Sequence, residues 1–402
     1  MGAVDVGAVW RVESARIVAA LTRFTGDFGP AEDAAQEAVA EALVSWPFTP
    51  PANPAGWLMA TARRRAIDAI RRRSALEDRY ALPAPDPAVD GETDPDRIDG
   101  IEDDVLALVF TSCHPVLSRE ARVALTLRVV GGLSSEEVAR AFLVPVPTVR
   151  ARVTRAKKAI AAAGVPFELP PARERRERLG GVLSVLHAIF TEGSTATSGD
   201  RLLRPDVGHE AIRLVRAPAA VQPDEPEVHG LLALCELTAA RLPARTDPDG
   251  SPVLLEHQDR RLWDLPAIHR GLAAASTRDL GPYGLQAAIA ATHVSAPSVE
   301  ATDWDRVVLL YQALGRVAPS PVVDLNRAVA MASGPERALV IVDELIASGA
   351  LPGSHLVPTV RGELLARLGR RPEARAELEL AARLCANQRE RSVLLRKAAA
   401  LG

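Results

Sequence analysis

The chain has 402 residues, with 48 Lys/Arg against 51 Asp/Glu, which is longer than one core ordinarily fills and predicts two or three folded units. Its three widely separated cysteines exclude a disulfide framework and fit a reducing cytoplasm. No apolar run approaches the ~18 residues of a membrane span, and no basic-then-apolar start marks a secretory signal, so both are excluded.

Charge is segregated along the chain. Residues 77–116 hold 2 basic and 11 acidic side chains, whereas residues 117–165 hold 9 basic and 3 acidic. Such asymmetry points to a polyanion-binding protein with an acidic tether between basic parts. Aromatics are only 4% of the residues, strand-like alternation is scarce, and Ala, Leu and Arg dominate. The expected fold class is all-α.

Helical periodicity runs over about 8–25 and then 31–46, where Ala34, Ala35, Ala38, Val39, Ala42 and Leu43 recur at spacings of three and four. A proline-rich loop, Pro47 to Pro54, interrupts it. The next helix, about 54–74, opens on Asn53-Pro54, a capping side chain followed by proline at the first helical position. Residues 77–100 mix Pro, Gly and acids without periodicity and read as a flexible linker.

Three short helices follow. The first, about 118–130, stops at Gly131-Gly132. The second opens with a capping box, Ser134 at the cap and Glu137 three residues on, and runs to about Phe142. After the turn Leu143 to Val146, the third begins near Pro147 and reaches about Ala162. Short helix, four-residue turn and longer helix together make a helix-turn-helix.

Beyond residue 170, ten or eleven helices joined by short turns are expected. Gly362, Leu365, Gly369, Ala374, Leu378 and Ala381 follow the spacing of a tetratricopeptide unit, and a weaker copy lies 36 residues earlier. The organisation is therefore two small helical domains, 1–76 and 101–165, the linker 77–100, and a helical-repeat extension, 170–402.

Three groups of residues carry chemistry. Arg150, Arg152, Arg155, Lys157 and Lys158 place five cations in nine residues with no acid between them. Val149, Val153 and Ala156 should face the core, leaving Thr148, Arg152 and Arg155 on a solvent-facing stripe. A helix that enters the major groove needs that arrangement, base-reading side chains flanked by phosphate-binding cations. Arg63-Arg64-Arg65 and Arg71-Arg72-Arg73 form a second basic set on helix 54–74, beside Trp57. Either set could equally be a solvated face, and the second could bind a protein partner. Acids of the third group, Glu32 and Asp33, are explained by the dipole of a helix beginning near residue 31; Gln36, Glu37 and Glu41 are not.

Taken in this order, these segments resemble the extracytoplasmic-function class of RNA polymerase sigma factors. EDAAQEAVAEALVSWP is similar to region 2.1–2.2, which implies that Asp33, Gln36, Glu37 and Glu41 dock on the coiled coil of the β′ clamp of core polymerase. NPAGWLMATARRRAIDAIRRR resembles regions 2.3–2.4, which implies that Trp57, Arg63, Arg64, Arg65, Arg71 and Arg72 contact the melted −10 element. Residues 119–160 resemble region 4, which implies −35 recognition by Thr148, Arg150, Arg152, Arg155, Lys157 and Lys158. FTSCHP, LLEHQDRRLWD, GPYGLQAAIAATH and APSPVVDLNRAVA resemble the subgroup with a long tetratricopeptide-like C-terminal extension. The resemblance implies a cytoplasmic, nucleoid-associated protein without membrane attachment. Its extension would do regulatory work, through a protein partner or by contact with the rest of the chain.

The alternatives are a conventional helix-turn-helix regulator with a helical-repeat sensor, and a repeat scaffold whose basic patches bind acidic proteins. The regulator would have no need for the Gln36-Glu37 helix or the arginine helix 54–74. No enzyme activity, cofactor or metal is expected. Cys113-His114 has no further ligand at metal spacing. Asp247 to Gly250 reads as a turn, and His257, Asp259 and His293 lack a nucleophile or phosphate-loop motif beside them.

Overall fold

The computed structural model describes residues 5–77, 101–142, 144–195, 202–275, 280–331 and 334–402. From residue 78 to residue 100 the acidic segment expected to be a linker lies outside them, as does Leu143 in the helix-turn-helix turn. Among the described residues the regular structure is helical, with one isolated antiparallel bridge, Thr246 to Pro252. The chain divides into two compact units, Met1–Ala188 and Ile189–Gly402.

In the first unit, α1 (Val6–Thr25) starts at Asp5, whose carboxylate accepts from the Gly7 and Ala8 amides at 2.9 and 3.3 Å. It ends at Gly26, in the left-handed conformation at φ 66°. α2 (Phe28–Ser45) is capped by Asp27, which accepts from Gly29 N at 2.9 Å. α3 (Pro54–Glu77) has the expected start, with Asn53 Oδ1 accepting from Gly56 N at 3.0 Å. Buried Ile17, Val18 and Leu21 of α1 meet a nearly all-alanine face of α2 (Ala31, Ala34, Ala35, Ala38, Ala42) and Leu58, Ala62 and Ala66 of α3. Small residues let the axes approach, and each fully buried Leu or Ile contributes about 1.5–3 kcal/mol. Trp46 and Trp57 close the α2–α3 turn edge-to-face, centroids 5.6 Å apart.

α2 begins at Phe28, three residues before the expected start. Glu32 and Asp33 therefore lie beyond the first turn, and the dipole account of them fails. Leu43 was expected on the apolar stripe and is instead 60% exposed.

A helix the periodicity did not reveal, α4 (Ile101–Ser112), packs on α1, and its Leu106, Leu108, Val109 and Phe110 are all buried. α5 (Arg119–Val129), α6 (Ser135–Phe142) and α7 (Val146–Ala162) follow. The capping box forms at α6: Glu137 N donates to Ser134 Oγ at 3.1 Å, and Ser134 N to Glu137 Oε2 at 2.7 Å. Between α5 and α6, Gly132 holds φ +67°, and a Cβ there would lie 2.6 Å from Ser14 Oγ of α1. Gly132→Ala is expected to cost about 1–3 kcal/mol, from the positive φ and the clash together. Urea denaturation measures it, and an unshifted midpoint would refute the account.

α8 (Ala172–Ser194) starts in the first unit, where Arg178 lies over the Phe110 ring at 5.6 Å and donates to Phe110 O at 2.8 Å. The second unit continues with α9 (Pro205–Val221), α10 (Pro226–Ala239), α11 (Leu265–Ala274), α12 (Pro282–Ser295), α13 (Trp304–Val317), α14 (Pro321–Ala330), α15 (Pro335–Ala347), α16 (Leu356–Arg367), α17 (Arg371–Leu384) and α18 (Gln388–Ala399). Most neighbours in this series pack on one another, as an α-helical array does. Glycine permits the closest crossings. A Cβ on Gly230 of α10 would meet the Gly284 amide of α12 at 2.6 Å, and one on Gly362 of α16 would meet Leu378 of α17 at 2.9 Å. Asp247 to Gly250 is a turn, closed by Ser251 N to Asp247 Oδ1 at 2.7 Å.

Candidate nucleic-acid interface

α7 presents its basic face because its other face is committed. Val149, Val153, Ala156 and Ile160 are buried, as their spacing requires. Opposite them, Arg150, Arg155 and Lys158 are exposed, while Thr148 and Arg152 are half-buried. The stripe expected to face solvent thus does so fully only at Arg155. Arg150 pairs with Glu136 of α6 at 2.7 Å, and Arg155 donates back to Ala151 O at 3.2 Å.

Lys157 is placed differently. Its side chain is 17% exposed, and its ammonium pairs with Glu32 and, at 2.9 Å, with Asp33 of α2. Burial alone would lower its pKa; the two carboxylates outweigh burial and raise it. Glu32 is itself buried and also lies 3.8 Å from Arg128 of α5. Arg11 of α1 pairs with Glu137 of α6 at 2.5 Å, and Arg23 with Asp104 of α4. Lys157 and Asp33, which the resemblance assigned to DNA and to the clamp, are here bound to each other.

The arginines of α3 divide likewise. Arg71 and Arg72 are exposed, and Arg63 lies over the Phe24 ring at 5.3 Å. Arg64 and Arg65 donate to Glu41 at 2.9 and 2.6 Å, and Arg65 lies 3.9 Å from Glu37. The Arg65 hydrogen bond is the main force holding the Glu41 carboxyl below its usual range. Trp57 is half-buried against Trp46. On α2, Asp33 and Glu37 are exposed and Gln36 is half-buried. An exposed apolar set lies at and just beyond the end of the same helix: Leu43, Val44 and Phe48, 60%, 72% and 86% exposed. The periodicity put Leu43 on the buried stripe and gave no sign of the other two. Cys113 is buried against Thr126 and has its thiol pushed up to about 11 by burial.

Comparison with known proteins agrees with this geometry. Residues 11–76 match sigma-70 region 2, and residues 108–160 match sigma-70 region 4. Residues 178–278 match a family of unknown function, DUF6596. Uncharacterized protein R00370 of Rhizobium meliloti is 45% identical over 384 residues, 92% of this chain and 90% of that protein. The ECF RNA polymerase sigma factor SigC of Mycobacterium tuberculosis and the probable RNA polymerase sigma-C factor of Mycobacterium bovis are each 31% identical over 147 residues. That is 36% of this chain and 76% of each relative. No solved structure gives a significant match. The chain accordingly belongs to the extracytoplasmic-function sigma factors, which bring core RNA polymerase to promoter DNA and start transcription there, and it carries a long helical extension behind its two sigma regions.

Proposed function

We propose the following division of labour. Asp33, Gln36, Glu37 and Glu41 dock on the β′ clamp, joined by the exposed apolar set Leu43, Val44 and Phe48. Arg63, Arg64, Arg65, Arg71 and Arg72, with Trp57 bracing the helix, engage the −10 element. Thr148, Arg150, Arg152, Arg155, Lys157 and Lys158 serve the −35 element. The protein works in the cytoplasm on nucleoid DNA, and the extension regulates it through protein contacts.

The observation that carries this reading is the exposed basic face of α7, held up by a helix-turn-helix whose other face is buried. Lys157 sits in a carboxylate pair in the free chain, so its use on DNA requires that Glu32 and Asp33 release it. Lys158, exposed and unencumbered by that pair, should contribute a plain phosphate contact. Lys158→Ala is expected to weaken binding to all promoters alike and to reduce the salt slope by about 1. Lys157→Ala should change the slope less in the isolated chain than in holoenzyme. Promoter-specific transcription reconstituted from core polymerase and this chain tests the whole reading, run beside residues 1–188 alone. No promoter-specific product would refute it, and identical output from both lengths would refute a regulatory extension.

A further inference from the structure

Three side chains of the last helices meet at helix ends. His355 immediately precedes α16, Cys385 immediately follows α17, and Glu390 sits in the first turn of α18. One imidazole nitrogen, the thiol sulfur and one carboxylate oxygen all lie within 4.8 Å of one another. His355 Nε2 is 3.3 Å from Glu390 Oε1, and Cys385 Sγ is 3.8 Å from Glu390 Oε2. Tetrahedral zinc, with bonds of about 2.0–2.3 Å, separates its S, N and O donors by roughly 3.3–3.8 Å. The His355–Glu390 and Cys385–Glu390 contacts fall in that range, each through a different carboxylate oxygen, and the whole set, within 4.8 Å, would draw in by up to about 1 Å to share one metal.

These groups already contact one another. His355 Nε2 is buried and lies 3.3 Å from Glu390 Oε1, and this contact is the main force holding the Glu390 carboxyl below its usual range. Cys385 is fully buried, and its single thiol proton is offered two acceptors, Asn387 O at 3.4 Å and Glu390 Oε2. An imidazole nitrogen, a thiol sulfur and a carboxylate oxygen that converge on one point have the donor types and the placement of a ligand set.

The surroundings hold the set in place. Asn387 Oδ1 caps α18, accepting from the Arg389 and Glu390 amides at 3.0 and 3.2 Å. The Arg391 guanidinium grips Cys385 O with two bonds, of 3.0 and 2.5 Å. Such outer contacts fix ligand orientation. The side chains of His355 and Glu390 are 22% and 32% exposed, so the set lies close to the surface, with His355 Nε2 and Cys385 buried beneath it.

We infer that His355, Cys385 and Glu390 bind one divalent transition metal of the zinc class. A thiolate, an imidazole and a carboxylate suit zinc or cobalt far better than magnesium or calcium. On binding, Cys385 gives its proton to solvent and its sulfur donates an electron pair to the metal. Thiolate and carboxylate together balance the two positive charges. The metal would tie the start of α16 to the α17–α18 turn, and this assignment stands independently of the promoter contacts proposed above.

The test is a Co²⁺ titration of the full-length, chelator-stripped chain. The expected result is one equivalent bound, with a sulfur-to-cobalt charge-transfer band and tetrahedral visible bands, both lost on adding Zn²⁺. Cys385→Ser should abolish the charge-transfer band, and His355→Gln and Glu390→Gln should each weaken binding at least ~10-fold. Cys113→Ala with Cys235→Ala should keep the spectrum. His355→Gln, at a partly exposed position, decides the matter should Cys385→Ser fail to fold. No sulfur-bound cobalt spectrum, or one unchanged by His355→Gln, would overturn the assignment.

Discussion

Reversing the charge of Glu37 and Glu41 together is expected to abolish assembly of this chain with core RNA polymerase. Glu37 is exposed, and Glu41 stands one helical turn along the same face of α2. Docking that uses these carboxylates against a basic surface loses both attractions and gains two repulsions. A charge pair removed from a docked surface costs about 2–5 kcal/mol, ~30-fold or more in Kd. The fold pays something as well, because Glu41 also anchors Arg64 and Arg65. Exposed pairs of this kind contribute only about 0.2–1 kcal/mol each, so a folded protein should persist. Co-purification with core enzyme, with circular dichroism as the folding control, measures both effects. A folded variant that co-purifies normally would remove α2 from the polymerase surface. Glu41→Gln alone should keep most of the assembly while freeing Arg64 and Arg65 for DNA.

The second large effect is expected at the junction of α8 and α9. Glu192 and Arg204 are both buried and ion-paired. Beside them the Arg204 amide donates to Gly193 O at 2.8 Å, and a Cβ on Gly193 would lie 2.3 Å from the Gly208 amide. The two backbones therefore touch, and the ion pair lies against that contact. Glu192→Ala removes the carboxylate from a buried guanidinium, a change that typically costs 3–5 kcal/mol. Glu192→Gln keeps the shape and a hydrogen-bond acceptor and should cost less. Thermal unfolding of the full chain should show a lowered transition in both variants, larger for alanine. Equal melting of wild type and Glu192→Ala would show that this pair does not stabilise the extension.

Local rules sufficed for much of this molecule. Asn53-Pro54 starts α3 and Ser134 with Glu137 starts α6 because capping is settled within four residues. Val149, Val153 and Ala156 are buried because one helix can turn only one face to a core. The density of arginine and lysine on α3 and α7 left a solvated face open, and the resemblance of the segments, taken in order, supplied the reading as a promoter-binding sigma factor. α4 escaped notice because it is buried almost continuously, from Leu106 to Phe110, and a helix covered on several sides shows no polar–apolar period.

Tertiary structure decided which charges find each other. Helical spacing sets Lys157, four residues after Val153, beside the buried face and Lys158 opposite it, but it does not name a partner. Lys157 lies in a carboxylate pair with residues some 125 positions away, and Lys158 faces solvent. Glu32 looked like a helix-dipole acid until packing placed Lys157 and Arg128 over it. His355, Cys385 and Glu390 likewise come from the ends of three helices, with no spacing that marks a ligand set. Helix formation depends on neighbours three and four residues apart, so sequence by itself determined most helices and where their basic residues cluster. Ion pairs and ligand sets depend on where whole helices come to rest, and only the folded packing determines that.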